Sequence, residues 1–127
     1  MTTTDRYTRP GLDGITVGSE VLVITPRGGG KYDLIPAHVT VKKPINWTLQ
    51  EPGGGRTWYM RADTQREAGS YAAAMFATHS QREYDNRVKA AREILEKVDL
   101  MPTPRSPYKN GAGILRLAEF VTANPPT

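Results

Sequence analysis

Between Glu20 and Ala62 the chain is cut into short apolar segments by glycine and proline, and this punctuation restricts the fold more than any other feature. Glu20 to Thr25 reads EVLVIT, a β-branched run bounded by Gly18 and Pro26, which predicts a short, largely buried strand. From His38 to Lys43 the residues alternate, with Val39 and Val41 on one side and His38, Thr40 and Lys42 on the other. Ile45, Trp47 and Leu49 then alternate with Asn46, Thr48 and Gln50, and Trp58, Met60 and Ala62 alternate with Thr57, Tyr59 and Arg61. Pro52 and the glycines Gly53 to Gly55 separate these two runs and predict a hairpin. Pro26 to Pro36, holding Gly28, Gly29 and Gly30, reads as a long irregular loop, because its glycines admit positive φ and its prolines stop a helix. Asp63 to Ser70 reads as a turn into Tyr71 to Ala77, a closing strand in which Ala72 to Ala74 favours helix as readily.

Four or five short strands in fewer than about 65 residues predict a small closed or nearly closed barrel of SH3-like type, since a flat open sheet would expose its edges. The clearest single element follows it. Thr78 with Gln81, or Ser80 with Glu83, supplies a capping box, and Tyr84, Val88, Ala91, Leu95 and Val98 recur at helical spacing. The pairs Glu83 with Arg87, Arg92 with Glu96 and Glu93 with Lys97 lie at i and i+4 on the other faces. Pro102, Pro104 and Pro107 break the chain before Asn110, which caps a second short helix with the face Ile114, Leu117, Ala118 and Val121. The expected class is α+β, with a flexible N-terminus over 1–14, barrel plus helix over 15–101, and a linker, short helix and loose tail over 102–127. The apolar helix faces either cover the barrel or meet a partner, a second copy included.

At 127 residues the chain has the size of one domain, and the absence of cysteine excludes disulfides and thiolate metal sites. No run reaches the length of a bilayer span and no secretory leader opens the chain, so a cytoplasmic location is expected. The net charge of +4 invites a nucleic-acid reading, but it is spread as +2 over residues 1–78, +1 over 79–97 and +1 over the rest.

The candidate site residues come from two glycine triplets that read GGGK and GGGR, each placing a cation after backbone able to approach a ligand closely. If both loops open on one side of a barrel, Arg27, Lys31 and Arg56 converge with Tyr32 and Tyr59 as cations and stacking platforms do in single-strand nucleic-acid binders. Trp47 and Trp58 share the phase of the apolar positions and read as core. The first triplet lacks the spacing and the following helix of a phosphate loop. His38 and His79 are the only histidines and sit in different elements, too few for a metal site, and Ser80 has no nucleophile elbow around it. Neither catalysis nor a metal or other cofactor is expected.

GSEVLVITPRGGGKYD at Gly18 to Asp33, with MRADTQREAGSY and FATHSQREY between Met60 and Tyr84, resembles the small SH3-like β-barrel proteins of actinobacteria and their phages. In that group a strand precedes a PRGGG-like loop, a hairpin follows a strand ending in Arg and Asp, and a Thr-capped helix comes next. The resemblance covers the first two thirds of the chain; Gln65 stands where a glycine is expected, and the Pro-rich tail has no counterpart. It implies an accessory protein, phage-encoded and acting in the host cytoplasm, that binds a host protein without catalysis. Nucleic acid is the alternative partner.

Overall fold

The computed structural model describes residues 6–69, 74–106 and 109–124. The chain divides into two compact units, Leu12–His79 and Met1–Gly11 with Ser80–Thr127. The boundary between them falls at the start of the long helix, within the 15–101 stretch expected to hold barrel and helix together.

The first unit is a closed antiparallel barrel of six strands in sequence order: β1 (Glu20–Gly28), β2 (Lys31–Lys42), β3 (Asn46–Gln50), β4 (Thr57–Arg61), β5 (Arg66–Glu67) and β6 (Met75–Ala77). β6 pairs back onto β1 through Leu22 with Ala77 and Ile24 with Met75, which closes the ring. The lumen is filled by Val21, Val23, Ala37, Val39, Leu49, Met60 and Phe76, with Trp47 and Trp58 buried among them as their phase predicts. β3 and β4 form the expected hairpin, and the expected closing strand is present at Met75–Ala77; its earlier part, residues 71–73, lies outside the described residues.

Three expectations are corrected. The long irregular loop at Pro26 to Pro36 is instead the tip of a continuous β1–β2 hairpin whose turn occupies Gly29 and Gly30 alone. Both turn glycines have positive φ, 61° and 77°, which is what a two-residue turn matched to strand twist demands. Val41 does not share the inward side with Val39, because a bulge between them shifts the register and turns Val41 outward opposite Thr48. Ile45 stands just ahead of β3 and is exposed, its carbonyl accepting the Ala62 N–H.

The second unit holds α1 (His79–Lys97) and α2 (Gly111–Ala123). Asn110 caps α2 as predicted, its side-chain oxygen accepting the Gly113 N–H at 2.7 Å. The two apolar faces pack on each other: Tyr84, Ala91 and Leu95 form one buried cluster with Ile114, Leu115, Ala118 and Val121. Residues 6–11 of the supposedly flexible N-terminus belong to this unit and are pinned to it by side-chain hydrogen bonds; residues 1–5 lie outside the described residues.

Candidate binding surfaces on the barrel

β1 and β2 outrun their neighbours. β6 begins at Met75, opposite Ile24, with residues 70–73 ahead of it outside the described residues, and β3 ends at Gln50, opposite His38. Beyond those pairs, among the described residues, the two strands pair only with each other, as a ribbon, up to the Gly29–Gly30 turn. Val39 exchanges backbone hydrogen bonds with Gly18 and Ser19 on the β1 side. By strict alternation Ile35 and Ala37 turn their amides the same way, while Leu34 and Pro36 turn theirs to the edge that β3 leaves open. Among the described residues Pro36 is thus the first unpaired edge position beyond His38, and Pro26 is the corresponding position on β1 beyond Ile24. A proline there removes the N–H that an added strand would need.

Alternation also sorts the side chains. Val21, Val23, Ile35 and Ala37 fill the lumen, so Leu22, Ile24, Pro26, Tyr32, Leu34 and Pro36 face outward, with Met75 beside Ile24. Not one of these positions is charged, and Leu34 is 42% exposed. The ribbon therefore wears its apolar face outside. Its signal in the sequence is that EVLVIT does not alternate: a strand with one wet face would carry polar residues at Leu22 and Ile24.

Of the five residues singled out from sequence, Arg27, Lys31 and Tyr32 share this ribbon, whereas Arg56 and Tyr59 lie on the β3–β4 hairpin. The two glycine turns stand at different levels. The ribbon tip lies about 26 Å of strand beyond His38, at roughly 3.3 Å per residue, while the β3–β4 turn starts directly after Gln50, the partner of His38. Two of the cations are also engaged. The Arg27 guanidinium lies 3.4 Å from the Asp33 carboxylate. Arg56 donates both its backbone N–H and its Nε to Glu51 Oε2, at 3.1 and 3.3 Å, and lies over the Trp58 ring. The Arg56 backbone N–H, followed by its guanidinium, holds the Glu51 carboxyl below the usual glutamate range. Lys31 makes no ion pair among the described residues. Tyr59 points outward as its phase predicts and is 64% exposed.

The histidines sit apart. His79 Nε2 lies 2.9 Å from Glu20 Oε1, both side chains exposed, and the contact ties the end of β6 to the start of β1. His38 is a half-buried residue of β2. Among the described residues no group of three His, Asp or Glu side chains is arranged to hold a metal ion, and no helix is long and apolar enough to cross a membrane. No family model, curated protein or solved structure matches the chain.

Proposed function

We propose that the chain is a non-enzymatic binding protein that engages another protein through the outer face of the β1–β2 ribbon. One observation carries this reading: Pro26, Tyr32, Leu34 and Pro36 are exposed on an uncharged, outward-facing surface where, among the described residues, the hairpin outruns its barrel, and the half-buried Leu22 and Ile24 continue it. Contiguous exposed apolar surface of this kind marks interaction sites. The prolines at both open edges direct a partner to the side chains of the face and away from strand pairing.

Reading the barrel as SH3-like, and the protein as a phage-type accessory factor whose partner is a host protein, follows the resemblance drawn from PRGGG and FATHSQREY and belongs to the same proposal. Nucleic acid is the second reading, favoured by Lys31 at the ribbon tip. Against it stand the carboxylates held by Arg27 and Arg56, and a net charge of only +1 over residues 12–79.

The test is retention of lysate proteins on the immobilised chain, after nuclease and at about 0.5 M salt, where phosphate contacts are weakened. A discrete protein should remain, should be lost with Leu34→Asp, and should persist with Lys31→Glu, all three chains melting alike. Loss on nuclease treatment, with Lys31→Glu and not Leu34→Asp abolishing binding, would replace this reading with the nucleic-acid one.

A further inference from the structure

One face of α1 is occupied by the chain's own N-terminal segment. Three side chains spaced along the helix each donate to a main-chain carbonyl of that segment: Gln81 Nε2 to Pro10 O at 2.9 Å, Tyr84 Oη to Tyr7 O at 2.8 Å, and the Arg87 guanidinium to Arg6 O at 2.9 Å. Two further contacts read side chains. Arg9 forks onto both oxygens of Asp85, at 2.9 and 3.1 Å, a bidentate geometry that lysine would not reproduce. The Tyr7 ring receives the guanidiniums of Arg6 and Arg116 at 4.9 and 4.7 Å from its centroid, and its hydroxyl donates to Glu119.

Carbonyls gripped regardless of side-chain identity, with two side chains then selected, is the division of labour found where a protein captures an extended peptide. Gln81 is only 1% exposed, so the amide that grips Pro10 is built into the unit and is not a chance surface contact. The segment itself forms no helix or strand, and its ion pairs are solvent-exposed, the kind that contributes little singly. Its tether adds to these hydrogen bonds by keeping the segment at an effective concentration in the millimolar range.

We propose that this face of α1 is a peptide-docking site, latched in cis by Arg6 to Pro10 and open to the same segment of a second copy. The site takes an extended stretch offering an aromatic residue and, two positions on, an arginine followed by proline.

The probe is a labelled peptide of sequence DRYTRPG, titrated against full-length chains by fluorescence anisotropy. A chain carrying Tyr7→Ala and Arg9→Ala has a weakened latch and should bind the peptide about tenfold tighter than the unaltered chain, whose own segment competes. Adding Asp85→Ala should reverse the gain. Equal affinity for latched and weakened chains, or no binding to a weakened chain that keeps its helical circular dichroism, overturns the proposal. Should the weakened chain lose its helices, the charge swap decides: an Asp85→Lys chain should prefer the peptide carrying Glu in place of Arg9, and indifference overturns the proposal. Sedimentation at raised concentration should show a dimer that Asp85→Ala abolishes; a monomer throughout overturns exchange with a second copy.

Discussion

A methyl group added at Gly111 would stand 2.6 Å from Tyr84 Oη and 3.4 Å from Val88 Cγ2. Alanine is otherwise the better helix residue, by about 1 kcal/mol in a helix interior. The clash decides the sign, because Tyr84 is buried and its hydroxyl is held by Tyr7 O. Gly111→Ala should therefore destabilise the protein by about 1 to 3 kcal/mol in chemical denaturation, the cost of overpacking a filled site. Residues whose roles are set by near neighbours were legible in the sequence: Trp47 and Trp58 by their phase, Asn110 by its place before a helix. Gln65, which stands where glycine is expected, does adopt positive φ, 56°, and its side chain donates to Phe76 O. Val41 was not legible, since an extra residue in one strand reverses every later orientation without any mark in composition. Nor was Arg9, whose partner Asp85 lies 76 positions away.

At the level of elements, proline misleads when it is taken only as a stop signal. Pro26 and Pro36 do not end β1 or begin β2; they occupy edge positions where a missing N–H costs no ladder bond. The glycines between them serve a turn of two residues, which is shorter than the loop that three consecutive glycines imply. The helices were legible because their 3.6-residue period and caps are local, but what their apolar faces meet is a tertiary fact. Each covers the other, and Leu95, with no exposed surface, lies in the shared cluster. Leu95→Ala should cost about 2 to 5 kcal/mol, read as a lower denaturant midpoint of the helical circular dichroism signal. The i, i+4 charge pairs anticipated on α1 are not ion pairs among the described residues; Arg87 gives its guanidinium to Arg6 O instead.

At the scale of the whole molecule, two separate cores predict two cooperative units. Both tryptophans lie in the barrel, so their emission reports that unit alone, while ellipticity at about 222 nm reports chiefly the helices. Denaturant curves from the two probes should separate, and Leu95→Ala should move the ellipticity midpoint and leave the tryptophan midpoint in place. Coincident curves shifted together by Leu95→Ala would instead make the two units one cooperative body. The prolines at the rims of the ribbon have a consequence at larger scale still. An exposed, apolar two-stranded arm is the shape from which fibrils grow, each molecule lending its rim to the next. Here proline leaves the first position past the described pairs on either rim without an N–H, so crowding should drive these arms toward face-on clusters that dissolve on dilution, and not toward ordered filaments.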